Sequence, residues 1–177
     1  MDKEYKFGEV LITEEQIHNR VVELGKQISK DYQGEEILLV GILRGSVLFL
    51  SDLMRAISAD TKIDFMAVSS YGASTKSTGV VKINKDLESS IEGLHVIVVE
   101  DIVDTGITLH YLKTYLQDRL PKSLKVCTFL DKPERRQVNI EADYVGFEVD
   151  NKFIIGYGLD YGQKYRNLPY ITCLEEI

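Results

Sequence analysis

The sequence predicts an α/β fold with a mostly parallel central sheet flanked by helices, and two observations carry that expectation. Runs of strand length such as EILLVGIL (36–43) and LHVIVV (94–99) are apolar throughout, as strands covered on both faces are. Segments with helical periodicity alternate with these runs, the order that β–α units require. At 177 residues, with no internal repeat or long linker, the chain is expected to form a single domain.

The elements follow in order. Ile12-Thr13-Glu14-Glu15-Gln16-Ile17 reads as a helix start. Thr13 can cap, Gln16 can close a capping box, and Ile12 and Ile17 have the spacing of a hydrophobic staple. Ile17, Val21, Leu24 and Ile28 then share one face of a helix running to about Lys30. Glu36 to Leu43 is a buried strand, broken by Arg44-Gly45-Ser46, and VLFLSDLMRAI has helical length and pattern. Lys62 to Ser70 reads as a strand. The small polar stretch from Tyr71 to Gly79 predicts a mobile loop. VVKIN predicts a short strand, SSIEGL a turn, Leu94 to Val99 a buried strand and Thr105 to about Arg119 a helix. LKVCTFL, DYVGFEV and KFIIGYGL read as the remaining strands.

Composition narrows the function. The chain is 44% hydrophobic and 28% charged, with no run near the roughly 20 apolar residues of a membrane span. MDKEYKFGEV carries acids and no apolar stretch, so no secretory signal is expected. A net charge of −7 argues against a broad nucleic-acid surface, yet local cations and a divalent metal can still receive phosphates. Cys127 and Cys173 read as small residues of a reduced cytosol. His18, His95 and His110 show no metal-ligand spacing and read as surface or helix-face residues.

Ligands of open α/β sheets bind at the carboxyl ends of the strands. That rule points to Leu43–Ser46, Glu100–Thr108 and Asp131–Arg136. The middle stretch, IVVEDIVDTGITL, contains Asp104-Thr105-Gly106, which is also the signature of an aspartic protease. Such a protease needs two carboxylates sharing a proton, and here the motif occurs once, ahead of a predicted helix. A phosphate site fits the setting better. Helix N-termini present unpaired N–H groups, Gly106 permits close approach, and Thr105 and Thr108 add hydroxyls. Local physics leaves one alternative level with it, a plainly capped helix preceded by solvated Glu100 and Asp101. Walker A and GxGxxG are absent.

VIVVEDIVDTGITL resembles the phosphoribosyl pyrophosphate-binding motif of the type I phosphoribosyltransferases, and its particular form resembles the hypoxanthine-guanine phosphoribosyltransferases. The resemblance extends in order through GILRGS, SSYG, LDKPERR, ADYVGFEV, KFIIGYGLDY and YRNLPYI. It implies a core over about residues 35–140 and a small hood formed by the N- and C-terminal segments. It also implies transfer of 5-phosphoribosyl from phosphoribosyl pyrophosphate to N9 of hypoxanthine or guanine, giving IMP or GMP and pyrophosphate, with Mg2+ as cofactor. Within that resemblance Glu100 and Asp101 hold the ribose hydroxyls directly or through metal, and Asp104 is the proton acceptor beside purine N7. Thr105, Gly106, Ile107 and Thr108 cradle the 5′-phosphate. Leu43, Arg44 and Gly45 form the pyrophosphate loop, with a non-proline cis peptide between the first two, and Arg166 contacts pyrophosphate. Lys132 donates to the purine O6, Phe153 stacks on the base and the backbone of Ile154 meets its edge. Asp160 is a metal ligand near the base, and Ser70 and Tyr71 begin a lid. A homodimer or homotetramer in the cytoplasm, with no nucleic-acid or membrane partner, is implied as well.

Taken singly, several of these residues have ordinary readings. Lys132 reads as a surface lysine in a turn, Phe153 as core, and Asp160 and Arg166 as surface charges. Rival functions are a xanthine, adenine or uracil phosphoribosyltransferase, an RNA-binding attenuator on the same fold, and a phosphoribosyl pyrophosphate synthase. Asp104, Lys132 and Phe153-Ile154 favour the 6-oxopurine type. The acidic charge disfavours RNA, and no ATP site is evident.

Overall fold

The structure is a computed structural model that describes residues 5–70 and 81–176. The predicted mobile loop of residues 71–79, with Tyr71 at its head, lies outside the described residues.

The N-terminal strand β1 (Tyr5–Ile12) leads into α1 (Glu14–Asp31). Thr13 caps that helix, and its side chain and that of Gln16 close the reciprocal capping box expected from the sequence. Ile17, Val21, Leu24 and Ile28 are buried along one face. Next come β2 (Glu36–Leu43), α2 (Val47–Ala56), β3 (Asp60–Ser70), β4 (Val81–Lys85) and β5 (His95–Val103). Then follow α3 (Ile107–Gln117), β6 (Ser123–Asp131), a short 3-10 turn (Pro133–Arg135), β7 (Tyr144–Glu148), β8 (Ile154–Ile155) and β9 (Ile171–Glu176).

Six strands form the large sheet in the order β4-β3-β2-β5-β6-β7, all parallel except the antiparallel edge strand β4. Apolar side chains of β2 and β5 leave alternately to the two faces, as the two-residue period requires. Ile37, Leu39, Ile97 and Val99 enter one core with α1 and α2, while Leu38, Val40, Val96 and Val98 enter a second core with Leu109, Leu112 and Leu116 of α3. Covering both faces explains why these strands are apolar throughout. Full burial of each such side chain contributes roughly 1.5–3 kcal/mol relative to exposure.

The terminal segments build a three-stranded antiparallel hood, β1-β9-β8. Tyr157, just after β8, ties it to the body by donating its hydroxyl to Asp52 Oδ2 of α2 at 2.5 Å. Burial pushes that phenol up out of its ordinary titration range. Both cysteines are free thiols in the interior.

Three local expectations differ from the structure. KFIIGYGL forms only the two-residue strand β8 before Gly156, Tyr157 and Gly158 coil with positive φ. β5 runs past Val99 to Val103, because the backbone ladder with β6 continues through Glu100↔Thr128, Ile102↔Leu130 and Val103↔Asp131 whatever the side-chain polarity. His95 is a strand residue with a partly buried ring, 2.6 Å from the Ser123 hydroxyl and edge-on to Tyr32, rather than a surface or helix-face residue. His18 and His110 are exposed on α1 and α3.

Candidate active site

The chain proceeds from β2 outward to β3 in one direction and returns to place β5 on the other side of β2. The crevice of such a sheet opens at this reversal, outside the carboxyl ends of the strands. Three loops meet there.

The first follows β2. Its Leu43–Arg44 peptide is cis. A Cβ on Gly45 would fall 1.5 Å from Asp101 Oδ2, so the absence of a side chain is what lets the loop lie against the strand carrying Asp101. On its other side, a Cβ on Gly158 would stand 2.0 Å from the Gly45 carbonyl oxygen. The loop is therefore sandwiched between β5 and the segment that follows β8. Ser46 is buried and returns its hydroxyl to the Ile42 carbonyl at 2.7 Å.

The second loop follows β5. Glu100 and Asp101 sit within the strand, and Glu100 is buried. Burial, with the neighbouring Asp101 charge, holds the Glu100 carboxyl well above the usual carboxylate range. Burial raises Asp101 to about 6, and the Asp160 charge adds to the rise. Hydrogen bonds from backbone N–H groups, Ile102 first, and the positive charge of Arg166 oppose it. Asp104 lies half-exposed beyond the strand. Gly106, at φ 81°, turns the chain into α3, which begins at Ile107 rather than Thr105 and ends at Gln117 rather than Arg119. The Thr105 carbonyl accepts from Gln137 N–H at 2.9 Å, fixing the loop, and the Ile107 N–H lies 3.4 Å from Thr105 Oγ1. The first-turn N–H groups have no acceptor within the helix.

The third loop follows β6. Lys132 is only 8% exposed, unlike a surface lysine, and its Nζ donates to the Lys152 carbonyl at 2.7 Å. Burial lowers its pKa, the Arg135 charge acts in the same direction and the Asp104 charge opposes both. The ring of Phe153, next to Lys152, is 54% exposed and edge-on to Tyr161, so it is not core. Ile154 is buried and pairs with Cys173 in the hood sheet. Asp160 accepts from the Gln163 N–H at 2.7 Å and pairs with Arg166 at 2.8 Å. The amide oxygen of Gln163 receives both Arg44, at 3.0 Å, and Arg166, at 3.1 Å. The loop after β2 and the hood thus share one polar cluster.

The expected site residues after β2, β5, β6 and β8 therefore gather around one crevice. Ser70 closes β3, and Tyr71 lies outside the described residues. Residues missed by sequence reasoning are Gln163, Arg135 and Arg136. Arg136 Nη1 donates to the main-chain carbonyls of Asp104 at 2.6 Å and Val103 at 3.1 Å, and its Nη2 pairs with Asp131. The available signal was the doubled arginine directly after the Lys132-Pro133 pair.

The carboxylates of Glu100, Asp101 and Asp160 are the hard oxygen donors that magnesium takes. Burial disfavours the charged forms of Glu100 and Asp101, a cost that a divalent cation beside them would offset. No group of three metal-holding side chains closes by itself among the described residues. Magnesium is commonly held by one or two carboxylates, with water and substrate oxygens completing its shell. The donor set fits.

A stability prediction follows. A carboxyl whose folded pKa is raised contributes stability that is complete below its unfolded pKa, near 3.8, and is lost as pH rises through the folded value, near 6. In protein stripped of divalent cations, Asp101→Asn should therefore raise Tm at pH 7.5 by about 3–6 °C, corresponding to about 1–2 kcal/mol. The gain should vanish near pH 4. Thermal unfolding in EDTA at both pH values checks this, and an unchanged or lower Tm at pH 7.5 would contradict it.

The family model described as phosphoribosyl transferase domain matches residues 13–162. A hypoxanthine-guanine phosphoribosyltransferase of Mycobacterium tuberculosis is 52% identical over 172 residues, covering 94% of this chain and 85% of the relative. The crystal structure of a hypoxanthine phosphoribosyltransferase from Staphylococcus aureus superposes with a TM-score of 0.93 at 53% identity, covering 96% of this chain and 92% of that one. A hypoxanthine-guanine phosphoribosyltransferase structure from Bacillus anthracis gives 0.91 at 48% identity, covering 97% and 100%. Sequence, sheet order and the gathered strand-end loops agree, and the chain belongs to the hypoxanthine-guanine phosphoribosyltransferases, the type I phosphoribosyltransferases of purine salvage.

Proposed function

We propose that the crevice binds phosphoribosyl pyrophosphate across the ends of β2 and β5 and a 6-oxopurine between Asp104, Lys132 and Phe153. The observation that carries this reading is the convergence of Asp101, Asp104 and Lys132 from adjacent strand ends, with the exposed Phe153 ring beside them. Glu100 and Asp101 take the ribose hydroxyls, and Thr105 to Thr108 take the 5′-phosphate at the N-terminus of α3. Arg44, the backbone of Leu43–Gly45 and Arg166 take the pyrophosphate.

Glu100, Asp101 and Asp160 would hold magnesium, which when bound would supply positive charge to the departing pyrophosphate. As that bond weakens the ribose develops oxocarbenium character, and N9 of the base attacks the anomeric carbon. Asp104 accepts the N7 proton as charge builds on the purine. Lys132 has donors and no acceptor, so it favours a 6-oxo over a 6-amino purine. Phe153 stacks on the base, and the backbone of Ile154 meets its edge. Ser70 and Tyr71 begin a lid that excludes water from an electron-poor ribosyl centre. The same reading takes the protein as a cytoplasmic homodimer or homotetramer with small-molecule substrates and no nucleic-acid partner. No helix among the described residues is long and apolar enough to cross a membrane.

Lys132→Ala tests the base half of this reading. It should raise KM for hypoxanthine by about 10- to 100-fold, the range for losing a hydrogen bond from a charged donor. It should also narrow the gap between 6-oxo and 6-amino purines. Steady-state kinetics with hypoxanthine, guanine and adenine measure both effects, and unchanged selectivity would remove Lys132 from the base site.

A further inference from the structure

Asp104 is gripped at both ends by consecutive arginines of one short turn. Arg136 holds its main-chain carbonyl at 2.6 Å. Arg135 Nε donates to its carboxylate, at Oδ1, at 2.8 Å, and Arg135 Nη1 donates to Asn151 Oδ1 at 3.2 Å. Asn151 precedes Phe153 by two residues, and Lys132 already holds Lys152 in the same loop. The turn after β6 therefore ties Asp104 to the loop that leads into Phe153.

A half-exposed aspartate without such a partner samples several rotamers, and its lone pairs then have no fixed direction. The planar guanidinium imposes one, since its N–H groups leave in fixed directions within a plane. The bond uses Oδ1 and leaves the lone pairs of Oδ2 for the base.

We propose that Arg135 is a positioning residue for the transfer reaction, orienting the Asp104 carboxylate toward purine N7 and coupling it to the loop that carries Phe153. This rests on the role given to Asp104 above. Arg135 touches no reacting atom and acts only through Asp104. Its side chain and that of Asp104 are 41% and 42% exposed. Exposed ion pairs add little to folding stability, so the role is read in rate and not in Tm.

A double-mutant cycle tests it, using Asp104→Asn, Arg135→Gln, both together, and Arg135→Lys. Single-turnover IMP formation is followed so that product release does not mask the chemical step. Arg135→Gln should slow the step by about 5- to 20-fold, the order of a charge-assisted hydrogen bond lost in the transition state. KM for phosphoribosyl pyrophosphate should stay within about twofold and Tm should hold, while Arg135→Lys should recover part of the rate. In the Asp104→Asn background, Arg135→Gln should change the rate by less than about twofold, because the group it serves is gone. A wild-type rate in Arg135→Gln, beside a slow Asp104→Asn, overturns the proposal and leaves the role of Asp104 standing. An equal cost of Arg135→Gln in both backgrounds overturns it too. A wild-type rate in Asp104→Asn overturns the role of Asp104 itself, and the proposal with it.

Discussion

Asp104→Asn should lower kcat for nucleotide formation by about 10²- to 10⁴-fold, the usual worth of a positioned general base. KM for each substrate should change by less than about threefold, a change confined to kcat being the mark of an interaction made only in the transition state. The substitution is nearly isosteric, and the amide oxygen can still accept from Arg135 Nε where Oδ1 does now. The main-chain grip of Arg136 on residue 104 is untouched. What the proposed role of Asp104 would lose is the capacity to take a proton from N7 as N9 bonds to the anomeric carbon. Steady-state kinetics with hypoxanthine and guanine measure the effect, and an unaltered kcat would sink the assignment.

Gly45→Ala should reduce kcat/KM for phosphoribosyl pyrophosphate by at least about 100-fold, since small misplacements of positioning groups carry costs of that order. The added methyl would stand 1.5 Å from Asp101 Oδ2 and 2.5 Å from its Cγ. Asp101 cannot yield easily, because it is a half-buried residue of the central strand β5 and its Oδ1 receives the Ile102 N–H at 2.8 Å. Retreat of the loop in the other direction meets the Gly158 backbone. The clash must displace either the carboxylate assigned to ribose and metal or the loop assigned to pyrophosphate. Overpacking of this kind costs about 1–3 kcal/mol, or about 2–10 °C in Tm for a chain of this size. Circular dichroism would establish that the variant folds, and near-wild-type activity in the folded variant would contradict the packing account.

The parts of the molecule that rest on local physics were legible in the sequence. The Thr13–Gln16 capping box and the Ile17, Val21, Leu24 and Ile28 face depend on residues one to four apart, and both are present. The apolar runs of β2 and β5 announced strands covered on both faces, and the strand-end rule then named the three loops that meet at the crevice. The hood strands were harder to read. β1 alternates only weakly between covered and exposed positions, and its partner β9 lies more than 150 residues away. Gly45 gave no local sign that its missing side chain makes room for Asp101 and the Gly158 backbone. Lys132 looks in sequence like any lysine before a proline, and its burial arises only when the 150–153 loop folds over it. Arg135 was passed over for the same reason, its partners Asp104 and Asn151 being 31 and 16 residues distant, and Arg136 likewise reaches the carbonyls of Val103 and Asp104 more than 30 residues back.

In the proposed function, Asp104 and Lys132 make this crevice a site for 6-oxopurines. Purified protein, magnesium and phosphoribosyl pyrophosphate, supplied separately with hypoxanthine, guanine and adenine, test it most directly. IMP and GMP should form in step with pyrophosphate release, with no comparable AMP. Efficient AMP formation, or no nucleotide from either 6-oxopurine, would contradict it.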